Sequence, residues 1–176
     1  MRKPSLGLSI VSVWLACSFF LVGCDLGNIL RVKYFEPVDF RNLKRSSGPN
    51  DALACPSDYC DVPVDVATVW YSRDVEEVFS EVVKVLSKQD RTEILKIDRD
   101  RHQAIAVQST RWLRFPDTVW VEVAELGGSS SLLIYSRSNY GYWDLGVNLA
   151  RIKALVRVVE NALPENSRVP QGSSKS

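Results

Sequence analysis

The chain has 176 residues, 45% of them hydrophobic, with 22 Lys+Arg against 21 Asp+Glu. That length fits one domain with appendages, and the apolar share suffices for a core but not for several membrane spans. Charges that nearly cancel exclude the broad positive field of a nucleic-acid binder.

Residues 1–23 stand apart. MRKP gives a basic start and LGLSIVSVWLACSFFLV an uncharged apolar run, the pattern of a secretory signal, to be set aside in fold reasoning. The run ends in Leu21-Val22-Gly23-Cys24, which resembles the lipobox of bacterial lipoproteins. The resemblance implies diacylglycerol on the Cys24 sulfur, cleavage before Cys24 and acylation of the new N-terminus. Asp25 resembles the residue that keeps many enterobacterial lipoproteins in the inner membrane, which implies an anchor on its periplasmic side. Cys17 leaves with the signal, so Cys24 carries the lipid and Cys55 and Cys60 remain. Removal of Arg2 and Lys3 reduces the 22 basic residues to 20, against 21 acids. More than one acyl chain holds a near-neutral protein beyond the reversible range.

Residues 24–54 are expected to be a lipidated N-terminus and tether. They show no sustained period, and RSSGPND is a linker-type cluster. As loose coil such a stretch spans roughly 30 Å. Arg31, Lys33, Arg41, Lys44 and Arg45 make it basic; contact with anionic lipid heads and a plain solvated linker are both open. CPSDYC follows. In an exported protein Cys55 and Cys60 are predicted to be oxidised to each other, closing a short loop for only about 2 kcal/mol. The alternatives are zinc, for which the chain offers only His102 as a further nitrogen donor, and a redox pair, which usually has two intervening residues. Neither a metal site nor a cofactor is expected.

The globular domain is expected over residues 55–163. Asp74 is a good N-cap, with Glu77 three residues on, and Val75, Val78, Phe79, Val82 and Leu86 recur at helical spacing. Four strand-like segments follow, 93–98, 104–110, 118–124 and 131–138. In the third, Val119, Val121 and Val123 face one way and Trp120 and Glu122 the other. Turns at RDRH and GGSS require antiparallel neighbours. A closing helix starts after Asp144 as N-cap, with Leu145, Leu149, Ile152, Val156, Val159 and Leu163 in one stripe. Pro164 ends it, and 164–176 is expected to be a disordered tail. The predicted fold is α+β, two-layer: a four-stranded antiparallel sheet with two helices on one face, helix-β-β-β-β-helix.

CPSDYC, RFPD (Arg114–Asp117) and SRSNYGYWDLGVNLARI together resemble the bacterial domain of unknown function 1499, over about residues 55–163. The resemblance implies a small exported or membrane-associated domain and brings no established activity. The chain departs from that family's closing motif at Asn139, Tyr140, Trp143 and Leu149, so aspartate or serine chemistry there does not carry over.

The closing motif gathers the candidate site. Asp144 at a helix start can accept backbone N–H groups and face an arginine. Asn148 and Arg151 share a helix face beside the strand carrying Arg137. Arg137, Asp144, Asn148 and Arg151 are expected to converge, either as a brace where strand becomes helix or as a carboxylate or phosphate site walled by Tyr135, Tyr140, Tyr142 and Trp143. Catalysis has little support. His102, the only histidine, sits in a charged turn, and no Gly-x-Ser-x-Gly, phosphate loop or HExxH occurs. Trp112, Trp120, Tyr135 and Trp143 cannot all lie under two helices, so the second sheet face is expected to meet a partner protein or an amphipathic ligand. The sequence thus favours a lipid-anchored, non-catalytic envelope module over its alternative, an envelope enzyme that holds an anionic substrate with Arg137, Asp144 and Arg151.

Overall fold

A computed structural model describes residues 31–163 and 169. The signal, Cys24 and Asp25 lie outside the described residues. So does the expected tail, apart from Val169, whose N–H donates to the Trp70 carbonyl at 2.8 Å.

The elements in chain order are β1 (Asp51–Cys55), β2 (Val66–Ala67), β3 (Trp70–Tyr71), α1 (Val75–Ser87), β4 (Thr92–Asp98), β5 (Gln103–Ser109), β6 (Pro116–Leu126), β7 (Ser129–Ser138) and α2 (Val147–Ala162). The fold is α+β with both helices on one face of a mostly antiparallel sheet. The sheet has seven strands rather than four, ordered β2-β1-β7-β6-β5-β4, with β3 on β7. The extra strands escape sequence patterning for physical reasons. Strand β1 is DALAC, without a β-branched or aromatic residue, and takes its extended form from pairing with β7, Asp51 opposite Arg137 to Ala54 opposite Ile134. Strands β2 and β3 have two residues each, too few to show a period.

The centre is the β6–β7 hairpin. Gly127 and Gly128, at φ 58° and 76°, form its two-residue turn, a conformation glycine enters without steric cost. The register runs from Leu126 opposite Ser129 to Asp117 opposite Ser138. Alternation then divides the core. Val119, Val121, Val123, Leu132 and Ile134 meet Val78, Phe79, Val82, Ile152 and Val159 of the helices. On the other face lie Trp120, Leu133 and Tyr135 with Leu53 and Ile105.

That second face is covered by the chain itself. Phe40 and Leu43 are buried on it, with Tyr34 and Val38 packed alongside. The segment is held by its carbonyls: Thr118 Oγ1 donates to Tyr34 O at 2.7 Å, Trp120 Nε1 to Glu36 O at 2.8 Å, and Gln103 Nε2 to Val38 O at 2.9 Å. Three alternate carbonyls thus meet three side chains of the sheet, the spacing of an extended strap. This corrects the expected tether: residues 34–50 belong to the domain, and the apolar face needs no outside partner to cover Trp120.

Helix α1 starts as expected, Asp74 Oδ1 accepting from the N–H groups of Glu76 and Glu77. Helix α2 starts later than expected. Leu145 and Gly146 have φ of 58° and 79°, Gly146 is the N-cap position, and Leu145 is exposed rather than the first member of the buried stripe.

Phe40→Ala tests the strap. Truncating a buried phenylalanine costs about 3–5 kcal/mol, whereas a change in a loose tether stays within about 0.5 kcal/mol. Urea unfolding of the two proteins measures the difference, and the larger loss is expected.

Candidate functional site

Ser136 and Ser138 follow Ile134 on the helix face of β7, so their hydroxyls meet the start of α2. Asn148, fully buried, is the hub. Its Oδ1 accepts from Ser136 Oγ at 2.6 Å and from Arg151 Nη1. Its Nδ2 donates towards Asn50 O and Ser138 Oγ at 3.0 Å and Asp144 Oδ2 at 2.8 Å. Asp144 also accepts from Gly146 N and Asn148 N, each at 2.8 Å, so it caps the helix across two turn residues. Arg151 donates through Nη2 to Asp117 at 2.6 Å, through Nη1 to Ser136 Oγ at 2.9 Å and through Nε to Gln108 Oε1. Both members of the Arg151–Asp117 pair are buried.

Beside this network a cleft of about 110 Å³ opens between Leu86, Gln89, Thr92, Gln108, Arg151 and Leu155. Drug-sized ligands occupy about 300–1,000 Å³, so it can admit only a very small molecule. Gln108 Nε2 spans its rim to Thr92 Oγ1 at 3.0 Å.

A second network lies on the opposite face. Asp51 accepts from Arg45 Nη2 at 2.7 Å, Ser46 N at 2.6 Å and Tyr135 Oη at 2.8 Å. Arg45 also pairs with Asp65 at 2.8 Å. Burial by itself pushes the Asp51 carboxyl up, but the bonds from Arg45, Ser46 and Tyr135 together outweigh it, and Asp51 sits below the usual carboxylate range. Burial, then the Asp51 carboxylate, pushes the Tyr135 phenol well above its ordinary value. Arg137 stacks its guanidinium 4.1 Å from the centre of the Tyr34 ring, and its Nε is buried without a hydrogen-bond partner. Glu122, bonded to Gln103 Nε2 at 2.7 Å beneath the strap, is pushed up by burial.

The expected cluster therefore divides. Asp144, Asn148 and Arg151 come together, while Tyr135 and Arg137 face the other way because they alternate with Ser136 and Ser138 along β7. Arg151 takes its carboxylate from Asp117 rather than from Asp144. Tyr142 and Trp143 are exposed and do not line the cleft beside Arg151, although Tyr142 covers Gly48 so closely that a Cβ there would stand 2.8 Å from its carbonyl oxygen. Tyr140 donates to Arg31 O at 2.6 Å and lies under Lys33. Cys55 and Cys60 form a disulfide, so neither is available to a metal. Among the described residues no group of three or more His, Cys, Asp and Glu is placed to hold one. His102 packs edge-on against Phe79 and lies 3.5 Å from Glu76.

Sequence reasoning missed Asn50, Asp51, Arg45, Gln108, Ser136 and Asn139. Asn139 accepts from Lys33 N at 2.6 Å and Tyr34 N at 3.1 Å while donating to Thr118 Oγ1 at 2.8 Å and Pro116 O at 3.1 Å. It joins strap to sheet. Asp117 was visible only as the end of RFPD.

Residues 44–159 match the family described as protein of unknown function (DUF1499), and the chain belongs to that family. The match begins ahead of Cys55 and so takes in β1. Among curated proteins none matches.

Two double-mutant cycles separate the networks. Asp117→Ala leaves Arg151 buried without its carboxylate and is expected to cost about 3–5 kcal/mol; in an Arg151→Ala background it should cost far less. Asp144→Ala should cost about 0.5–2 kcal/mol as a lost cap and add to Arg137→Ala, because the two residues share no partner. Urea melts of the single and double variants measure both couplings.

Acid unfolding reports on Asp51. Its folded pKa is lowered, so its contribution is complete above the unfolded value of about 3.9 and is lost as pH falls through the folded one. Tyr135→Phe removes one donor, and the acid midpoint should move to higher pH. Circular dichroism during acid titration of both proteins measures the shift.

Proposed function

We propose that this DUF1499 member is a lipid-anchored, non-catalytic module of the bacterial cell envelope, held by Cys24 on the periplasmic side of the inner membrane. The observation that carries the non-catalytic reading is the way Arg151 spends its donors on Asp117, Gln108, Ser136 and Asn148. A guanidinium so engaged fixes the point where β7 leaves the sheet and α2 begins. To grip an anionic substrate it would have to break several charge-assisted bonds. The enzyme reading through Arg137, Asp144 and Arg151 loses its geometry, since Arg137 belongs to the opposite face.

The anchor reading rests on LVGC at the end of the apolar run. No helix among the described residues is long and apolar enough to cross a membrane; the attachment proposed is through acyl chains on Cys24. What the module binds is an envelope protein or an amphipathic ligand, met by surface outside the strap-covered face. Cys24→Ser is expected to remove fatty-acid labelling and to release the protein from the membrane fraction or leave it as a precursor. Metabolic labelling with a radioactive fatty acid measures this, and a normally labelled mutant would overturn the anchor.

A further inference from the structure

One end of the sheet differs in character from the other. The β5–β6 loop (110–115) and the β7–α2 loop (139–146) leave neighbouring strands side by side, Asn139 N donating to Pro116 O at 3.3 Å. The first loop is clamped at its neck: Thr110 N donates to Phe115 O, and Phe115 N to Thr110 Oγ1, each at 2.9 Å. Beyond the clamp Trp112 is 86% exposed, with Leu113 beside it. The second loop exposes Tyr142 at 73% and Leu145 at 72%, with Trp143 between them. Large apolar side chains held out by ordered loops, without cover among the described residues, mark a contact surface.

Charge follows the same division. Among the described residues Arg31, Lys33, Lys88, Arg91, Arg111 and Arg114 lie at this end, against Asp90, Glu93 and Asp144. The far end has Asp74, Glu76, Glu77, Asp98, Asp100 and Glu125 around its turns, against Arg73, Arg99 and Arg101, with Arg73 bound to Glu77 and Arg99 to Glu76. The chain also enters the domain at the basic end, where Tyr140 Oη bonds to Arg31 O and Asn139 to the N–H groups of Lys33 and Tyr34. Cys24 precedes Arg31 by seven residues, a span of at most about 25 Å.

We infer that this end rests on the bilayer, with Trp112, Leu113, Tyr142, Trp143 and Leu145 at the level of the lipid headgroups and the neighbouring cations among anionic ones. The inference builds on the anchor reading and adds an orientation to it. A short link from the lipid to the edge of this surface keeps the loops within reach of the interface. Indole and phenol rings favour that layer, apolar in body and polar at the tip. Arginine and lysine beside them match the negative surface potential of anionic lipid. The acidic end, with its helix and turn carboxylates, then faces away from the membrane.

The test uses the full chain processed in cells and reconstituted into vesicles of phosphatidylethanolamine and phosphatidylglycerol that carry a nitroxide quencher near the headgroup. Tryptophan emission should be quenched. In the Trp112→Phe/Trp143→Phe variant most of that quenching should vanish, since Trp120 is buried and Trp70 half-buried. Both replacements are on the surface, so an unchanged thermal melt verifies the fold. Intact mass of the same sample reads the state of Cys24. A lipidated Cys24 without quenching overturns the docking and leaves the anchor standing. An unlipidated Cys24 sinks the anchor, and the chain added to preformed vesicles of the same lipids then decides the docking: quenching sustains it and its absence overturns it. Quenching that persists in the double variant also overturns it.

Discussion

A central hairpin that buries both of its faces governs this domain. Strands β6 and β7 have helices on one side and the strap on the other, so each successive side chain enters a different core. Helices satisfy their own backbone groups. The strap cannot, because it lies across the sheet without pairing with it. Buried carbonyls without donors are costly, and Thr118, Trp120 and Gln103 supply the donors. Polar atoms in the second core therefore serve a covering segment that has no hydrogen-bond ladder of its own.

Each face also contains an ionic knot, buried at Arg151–Asp117 and partly buried at Arg45–Asp51, and the two hold different joints. Arg151 and Asp117 tie α2 to β6 where β7 departs; Arg45 and Asp51, with Tyr135, tie the strap's end to β1 and β7. Buried ion pairs are weak contributors to stability when hydrophobic alternatives exist. Here they sit at changes of direction, where backbone groups need partners that apolar residues cannot provide. Asn148 illustrates the economy: one amide serves strand β7 at two positions, a helix start and the turn before β1.

Much of this was legible in the residues. Helix α1 and strands β4 to β7 show plain periodicity, and the placement of Trp120 on the face away from the helices follows from its alternation with Val119 and Val121. The strap was hidden because it is recognised through its carbonyls, which every residue has. Strand β1 was hidden because alanine carries little preference for extended structure. In the polar cluster Asp144, Asn148 and Arg151 come together while Arg137 and Tyr135 do not, since Arg137 and Arg151 look alike on paper and a single step along β7 turns Arg137 to the other face. Asp117, the true partner of Arg151, lies 34 residues upstream, a distance at which no local pattern points to it.

The strap has a consequence for the order of events during folding. Residues 34–38 emerge well ahead of the sheet that grips them, for Thr118 and Trp120 each lie 84 positions further on. Closing loops of that length is entropically slow. The first part of the domain to be synthesised is thus among the last to find its place, and until it does, Trp120 and Tyr135 stand open to solvent.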